Sequence, residues 1–223
     1  MKKLFIVANW KSNDTMLQAK TWVAEISNLK SQISNNSNKQ IIVCPSFTLL
    51  NEAKSLITDY QLPITLGSQD ISPFTEGSYT GEINGKQIKE FADYVIIGHS
   101  ERRSNFLESD DMLVKKVEMA KSCGLIPIFC VQNENTVIPD GVKITAYEPV
   151  FAIGTGNPDS FENANIVAGK IKNKNKTVQY VLYGGSVASK NVNSFTQMPN
   201  IDGVLVGSAS LDANEFLEVI KNA

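Results

Sequence analysis

The stretch ITAYEPVFAIGTG, residues 144–156, joins a short strand, a carboxylate and a glycine-containing loop. Residues 144–147 are β-prone, and Pro149 prevents the chain from continuing as a regular strand. Two glycines free the backbone beyond it. Glu148 is therefore predicted at the end of a strand, where it faces a pocket. A solvated loop acid is the alternative for a glutamate followed by proline.

A second strand end carries His99, the only histidine among the 223 residues. It follows the apolar run 94–97, and Ser100 with Glu101 is typical of the first turn of a helix. The positive end of a helix disfavours the imidazolium, so His99 is predicted to act as a neutral hydrogen-bond donor. A structural histidine is the alternative, but a glutamate at another strand end favours catalysis.

Strand and helix patterns alternate along the whole chain. Short, mostly apolar segments, typical of parallel strands buried on both faces, are found at 4–8, 40–44, 64–68, 94–97, 126–130, 144–147, 178–183 and 203–206. Amphipathic helices are predicted at 16–29, 49–58, 84–91, 110–122, 160–173, 189–196 and 213–222. This alternation predicts an α/β fold, a closed (β/α)8 barrel in a single domain of residues 1–223, and not a doubly wound sheet.

Two segments depart from that regular alternation. The polar tract 31–40 is predicted to be a loop. Between strands five and six the intervening residues 131–143 contain a proline and a glycine, whereas a crossover with its helix needs at least about 10 to 12 residues. A shortened connection with little or no helix is therefore predicted. Val137, Ile138 and Val142 are expected to cover the two strands that it joins.

Composition excludes several classes of protein. A hydrophobic share of 42% allows a sizeable core, and a net charge of -2 with interspersed acids and bases does not indicate a nucleic-acid or membrane-surface partner. The N-terminal apolar run stops at Asn9, too short for a secretory core or a bilayer span, so a cytoplasmic location is expected.

The cysteine pattern agrees with a reducing compartment. Cys44, Cys123 and Cys130 are odd in number and lack metal-ligand spacing, so reduced thiols are expected and no metal or cofactor is implied. Cys130 lies at a strand end, where a nucleophile could act. The chain offers no second histidine to activate it.

Taken together, these residues resemble the triosephosphate isomerase family. The matching segments follow the family's order along essentially the whole chain and read NWK at 9–11, GSYTGE at 77–82, GHSERR at 98–103, YEPVFAIGTG at 147–156, YGGS at 183–186 and DGVLVGSASL at 202–211. The resemblance implies a TIM barrel enzyme of glycolysis and gluconeogenesis that interconverts dihydroxyacetone phosphate and glyceraldehyde 3-phosphate through an enediolate.

The resemblance also implies a role for each matching residue. Glu148 would be the base that moves the proton, and neutral His99 would donate a hydrogen bond to the developing oxyanion. Lys11 and Asn9 would contact the same oxygen. Glu101 matches a family position beside the lysine, where a supporting role and a plain helix-capping role are both open.

Phosphate binding is implied at four backbone N–H groups, those of Gly154, Ser186, Gly207 and Ser208. The last two lead into a short helix whose positive end favours an anion, and phosphate sites of this barrel gather after strands seven and eight. Ser208 replaces the family's usual second glycine. Serine would be strained there if the position required a positive φ.

Assembly and the loop beyond the base bring further expectations. In the family the loop equivalent to 77–82 enters a neighbouring subunit, which implies a homodimer with Thr80 in its interface.

Phe151 stands where the family usually has tryptophan, and Asn133 where it usually has a glutamate that bonds this tryptophan while the loop is open. Both partners of that contact are thus absent.

A different class of function was also considered. A degenerate phosphate-binding barrel that serves only for binding or scaffolding is expected to lose at least one of the three reactive side chains. Lys11, His99 and Glu148 are all present. The pattern therefore favours an enzyme.

Overall fold

The computed structural model describes residues 2–34 and 38–223. Within that part of the chain, eight parallel strands form a closed barrel in sequence order. The strands are β1 (Leu4–Asn9), β2 (Lys39–Cys44), β3 (Ile64–Ser68), β4 (Tyr94–Ile97), β5 (Ile126–Val131), β6 (Ile144–Tyr147), β7 (Tyr180–Tyr183) and β8 (Gly203–Val206). The predicted (β/α)8 barrel is confirmed.

Helices surround the barrel. They are α1 (Met16–Asn28), α2 (Lys30–Ser34), α3 (Leu50–Asp59), α4 (Gly85–Lys89), α5 (Ser100–Asn105), α6 (Asp110–Ser122), α7 (Phe161–Lys174), α8 (Val192–Thr196) and α9 (Ala213–Asn222). Short 3-10 turns lie at Phe47–Leu49, Val150–Ala152 and Ser208–Ser210. None of the helices in the described residues is long and apolar enough to cross a membrane.

The strands are apolar on both sides because the barrel has two cores. Along β1, Phe5 and Val7 belong to a cluster inside the barrel, whereas Ile6 and Ala8 join a larger cluster that includes side chains of the surrounding helices. Successive side chains of a strand point to opposite faces, so each strand contributes to both clusters. Every residue of β1 is accordingly buried.

The prediction of a loop at 31–40 was wrong for residues 31–34 and for residues 39–40. Helix α2 continues to Ser34, and β2 already begins at Lys39. Ile33 is 2% exposed and belongs to the outer core, so one buried side chain anchors an otherwise polar helix. The predicted loop residues 35–37 lie outside the described residues.

The connection between β5 and β6 contains turns and no helix, and all of its residues are described. Three lysines of the flanking helices α6 and α7 hold it. Lys170 Nζ lies 2.9 Å from Glu134 Oε1, Lys174 Nζ donates to Asn135 Oδ1 at 2.7 Å, and Lys121 Nζ donates to the carbonyl oxygen of residue 140 at 3.0 Å. Polar contacts thus position the chain that crosses the gap left by the absent helix.

Of the three residues predicted to cover β5 and β6, only Ile138 and Val142 do so. Val142 is fully buried, and the half-buried Ile138 packs against the outer core. The prediction for Val137 was wrong, because 67% of this residue is exposed. Side chains of an extended segment alternate in direction, so Val137 faces solvent when its neighbour Ile138 faces the barrel.

This difference predicts unequal costs for two matched substitutions. Val142→Asp places an unpaired carboxylate in an apolar environment and should lower the free energy of unfolding by roughly 3 kcal/mol or more. Val137→Asp leaves its charge in water and should change it by about 0.5 kcal/mol or less. Urea unfolding of both variants measures the difference. Equal losses would show that the exposed and buried positions are wrongly assigned.

Candidate active site

A cavity opens where the carboxyl ends of the strands meet. It has a volume of about 430 Å³. Its lining includes every residue predicted to bind or transform substrate, namely Asn9, Lys11, His99, Glu148, Gly154, Ser186, Gly207 and Ser208. Glu101 lies behind this lining, and Thr80 is exposed elsewhere on the surface. The topology of a parallel barrel therefore collects side chains from distant parts of the sequence at one end.

The carboxylate of Glu148 is buried between two hydrogen-bonding groups. Only 2% of the residue is exposed. Its Oε2 accepts a hydrogen bond from the N–H of Ser100 at 3.0 Å, and its Oε1 lies 3.1 Å from Nε2 of His99. The backbone N–H of Glu148 donates to the carbonyl oxygen of Val131 at 2.8 Å, which continues the pairing of β6 with β5.

His99 precedes α5 and has the contacts of a neutral imidazole. Its Nδ1 accepts a hydrogen bond from the N–H of Glu101 at 3.3 Å. A ring nitrogen that accepts carries no proton, so Nε2 is the protonated nitrogen in this network. That N–H points at Glu148 Oε1.

Lys11 follows β1 in the left-handed backbone conformation, with φ of 53°. Asn9 Oδ1 accepts from the N–H of Lys11 at 3.1 Å, and Gln69 Nε2 donates to its carbonyl oxygen at 2.8 Å. The Lys11 ammonium lies 2.6 Å from Oε1 of Glu101. Glu101 therefore pairs with the lysine through its carboxylate and with His99 through its N–H.

The end of the cavity that follows β7 and β8 contains a serine with positive φ, which is Ser186 and not Ser208. Ser208 begins a 3-10 turn and is not among the residues with positive φ, so its substitution for glycine causes no strain of that kind. Ser186 has φ of 52°. Its hydroxyl donates to the carbonyl oxygen of Ala152 at 2.6 Å and accepts from the N–H of Gly156 at 3.1 Å, which ties both arms of the loop together.

Asn133 and Phe151, the two residues that differ from the family's usual glutamate and tryptophan, make no hydrogen bond with each other. Asn133 Oδ1 accepts from the N–H of Asn135 at 2.8 Å, and 64% of Phe151 is exposed. The amide of residue 133 is thus used within its own turn. Neither residue supplies a polar contact to the other in the described network.

Several contributors to the site were missed from the sequence. The N–H of Ser100 and the thiol of Cys130 contact Glu148, and Gln69 supports Lys11. A polar residue directly after β3, at the same edge as the other strand ends, was an available signal for Gln69. The role of a backbone N–H leaves no trace in side-chain chemistry.

Cys130 is a protonated neighbour of the carboxylate and not a nucleophile. Burial raises the pKa of its thiol well above the usual value, and Glu148 raises it further, while Arg103 opposes this. The thiolate is the reactive form of cysteine, so a raised pKa suppresses reaction. The earlier interpretation that Cys130 lacks an activating group agrees with this environment.

Close packing around Glu148 leads to a testable constraint on Gly184. A Cβ added to Gly184 would lie 3.1 Å from Cγ of Glu148, tighter than ordinary van der Waals contact. Gly184→Ala should displace the carboxylate by a fraction of an ångström and lower kcat about tenfold, since misplacement by about 1 Å can cost roughly 100-fold. Steady-state kinetics together with a thermal melt measure this effect. Wild-type kcat in the folded variant would contradict it.

Comparison with known proteins gives a consistent match. A family model described as triosephosphate isomerase matches residues 4–143 and 140–223. The triosephosphate isomerase of Dictyoglomus thermophilum is 37% identical over 255 aligned residues, which cover all of both chains. That of Dehalococcoides mccartyi strain CBDB1 is 36% identical and covers all of this chain and 97% of its own. That of Mesomycoplasma hyopneumoniae strain 232 is 35% identical, with complete coverage of both.

The same comparison agrees with a shortened connection between β5 and β6. The alignment with the Dictyoglomus protein spans 255 positions, more than the 223 residues of this chain, so the relative contains residues that are absent here. The two segments of the family match meet at residues 140–143, within the connection between β5 and β6. With a family match from residue 4 to residue 223 and relatives aligned along the whole chain, this protein is an isomerase that belongs to the triosephosphate isomerase family.

Proposed function

We propose that this isomerase interconverts dihydroxyacetone phosphate and glyceraldehyde 3-phosphate with Glu148 as the base and His99 as the electrophile. The observation that carries the assignment is the 3.1 Å contact between Glu148 Oε1 and His99 Nε2 inside the cavity. It brings a carboxylate and a neutral N–H donor within hydrogen-bond reach of one small substrate. Lys11 supplies a positive charge to the same cavity.

Two proton transfers account for the reaction, one between two adjacent carbons and one between the oxygens that they carry. Glu148 takes the proton from the carbon beside the carbonyl, and the carbon's electron pair shifts to form the enediolate. The Nε2–H of His99 and the Lys11 ammonium stabilise the negative oxygen that results. The hydroxyl proton then passes from the oxygen of the first carbon to that of the second, and Glu148 returns its proton to the second carbon as the first oxygen becomes the carbonyl. Atoms and electrons then balance without an oxidant or reductant.

The phosphate is proposed to bind at the N–H groups of Gly154, Ser186, Gly207 and Ser208. All four line one cavity with Lys11. A Cβ added to Gly207 would lie 3.7 Å from Nζ of Lys11, so this backbone passes close to the ammonium. Backbone N–H groups do not titrate, which suits binding of an anion over a wide range of pH.

A coupled assay of triose phosphate interconversion tests the proposed reaction. The purified chain should convert each triose phosphate into the other, and replacement of Glu148 should lower this turnover by roughly 10²-fold or more. A binding-only barrel would bind phosphate and show no turnover. No observation favours that alternative, because all three reactive groups line the cavity.

A homodimer is proposed as the assembled form. Thr80 lies on an exposed loop whose aromatic side chains Phe74 and Tyr79 stack with ring centroids 4.2 Å apart. These rings are 41% and 42% exposed. A stacked aromatic pair on an outer loop is a candidate contact surface for a second copy. The family resemblance supplies the expectation that Thr80 lies in that interface.

Thr80→Arg should therefore weaken self-association and lower activity per chain, because a bulky charge would enter a packed interface. Sedimentation during turnover measures both. Thr21→Arg, at an exposed position of α1, is the matched control and should leave the dimer intact. A wild-type chain that is fully active as a monomer at assay concentration would refute the proposal.

A cytoplasmic location is proposed on the chemistry of the thiols. Cys44, Cys123 and Cys130 are all free, and the first and last are buried. Free cysteines suit a reducing compartment. A small triose phosphate remains the proposed binding partner. No nucleic-acid or membrane partner is proposed.

A further inference from the structure

The C-terminal end of the loop beyond Glu148 is held by one carboxylate. Asp159 Oδ2 accepts a hydrogen bond from the Tyr147 hydroxyl at 3.2 Å and another from Nδ2 of Asn163 at 2.8 Å. The backbone N–H of Asp159 donates to the hydroxyl of Tyr183 at 2.7 Å. Asp159 thus joins the last residue of β6, the last residue of β7 and the first turn of α7.

We propose that Asp159 is a positioning residue that clamps the loop 149–158 over the cavity through its bond to Tyr147. The inference rests on the proposed function, since Tyr147 directly precedes the proposed base Glu148. One bond therefore connects the two ends of the loop at the strand that presents the base. Under this proposal, opening of the loop strains this bond.

The Tyr147 phenol is the donor of this bond. Burial raises the pKa of the phenol, and the neighbouring Asp159 raises it further, so the hydroxyl keeps its proton. At 3.2 Å the bond is longer than an ordinary O–H···O bond, so its effect is expected to be modest.

The rest of the loop has few contacts that could hold it. Gly154 and Gly156 have φ of 69° and 77°, and a Cβ added at either would meet nothing within 4 Å. The tip is therefore open to solvent on the side where a side chain would project. Ser186 ties the middle of the loop, and Asp159 with Tyr147 ties its ends.

Capping of α7 does not explain the Tyr147 contact. Ser160 is the N-cap of α7, and its hydroxyl accepts from the N–H of Asn163 at 3.1 Å. Asp159 Oδ1 adds a bond from the N–H of Ser160 at 2.8 Å. Those contacts lie within one helical turn, whereas the bond to Tyr147 reaches across to β6.

The experiment is a double-mutant cycle on the full-length chain. Tyr147→Phe and Asp159→Ala should each lower kcat/KM about tenfold, the equivalent of roughly 1.4 kcal/mol for a lost hydrogen bond to a charged group. The double variant should lose no more than about tenfold, because both changes remove the same bond. Glu162→Gln, which removes an exposed carboxylate of the same helical turn, is the control for charge.

Amide hydrogen exchange of residues 149–159 in saturating inorganic phosphate provides a readout independent of turnover. Exchange of this segment should be faster in Tyr147→Phe and in Asp159→Ala than in the wild type and in Glu162→Gln. Asn163→Ala removes the other side-chain partner of Asp159 Oδ2 and leaves the bond to Tyr147 and the Ser160 cap in place. It should leave loop exchange nearly unchanged.

Each outcome decides the matter. Losses that multiply to about 100-fold in the double variant would overturn the clamp, because the two changes would then be independent. So would unchanged loop exchange in Tyr147→Phe, which would leave Asp159 as a helix cap. A wild-type chain without isomerase activity would refute the proposed function instead, and the exchange measurements in phosphate would still test the clamp.

Discussion

Glu148→Gln should lower kcat by roughly 10²- to 10⁴-fold, the contribution typical of a positioned general base. Glutamine has nearly the same shape, but its single carbonyl oxygen can accept from only one of the Ser100 and His99 donors, and the ability to accept a proton from carbon is lost. KM should change little, because phosphate binding relies on other groups. The coupled triose phosphate assay, with substrate concentration varied, measures both constants.

A shorter acid distinguishes position from chemistry. Glu148→Asp retains the carboxylate but retracts it by about one methylene, and a misplacement of about 1 Å can cost roughly 100-fold in rate. Glu25→Gln, at an exposed position of α1, should retain wild-type kinetics. Near wild-type turnover in both Glu148 variants would remove this residue from the role of base.

The second large effect is expected at a buried group of charges behind α5. Lys116 is 3% exposed and lies 2.7 Å from Oδ1 of Asp70, and its ammonium also pairs with Glu108. Arg102 of α5 joins the group through Glu108 at 2.6 Å. This network holds the helix that follows His99 and whose first N–H bonds Glu148.

Lys116→Met should lower the free energy of unfolding by about 3 to 5 kcal/mol, because two carboxylates then remain buried with one fewer partner. For a chain of this size such a loss should lower the melting temperature by roughly 10 °C. Thermal melts measure the change. Lys115→Met, at the exposed neighbouring position, is the matched control and should melt like the wild type.

The loss of unfolding free energy in Lys116→Met should also depend on pH in a defined direction. Burial raises the pKa of Asp70 and Glu108 raises it too, whereas Lys116 lowers it. Removal of the lysine therefore raises the folded-state pKa of Asp70 further above its unfolded value. Stability linked to such a group is present below the unfolded pKa, near pH 4, and is lost as the pH rises through the folded pKa. The gap between Lys116→Met and wild type should widen from about pH 4 to pH 7. A constant gap would show that Asp70 is not the affected acid.

Local patterns in the sequence were sufficient for the order and type of most elements. The apolar runs that became β3, β4, β6 and β8 match their predicted bounds, since a strand buried on both faces must be apolar throughout. Strand ends could be read the same way, because Pro149 and the polar residues that follow mark where regular pairing stops. This is why Lys11, His99 and Glu148 could be assigned to one end of a barrel before any coordinates.

Burial and backbone conformation in irregular segments could not be predicted from residue type alone. Val137 and Val142 are chemically identical, yet one is exposed and the other buried, because alternation in an irregular segment depends on where that segment starts. Ile33 turns a polar tract into a short helix only because a core is available to receive it. Likewise the positive φ that would have strained Ser208 is absent there and occurs at Ser186, since φ is imposed by the turn and not by the side chain.

The finest features of the site arise from contacts between segments distant in sequence. The N–H of Ser100 meets a carboxylate 48 residues away, and no side-chain pattern records a backbone donor. Asp159 reads as an ordinary helix-start acid until Tyr147 is brought to its other side. Residue types and spacing therefore specify the strands and the reactive groups through local preference and burial. The orientation of those groups, and what holds them, results from packing in three dimensions, where each hydrogen bond requires both partners to arrive together.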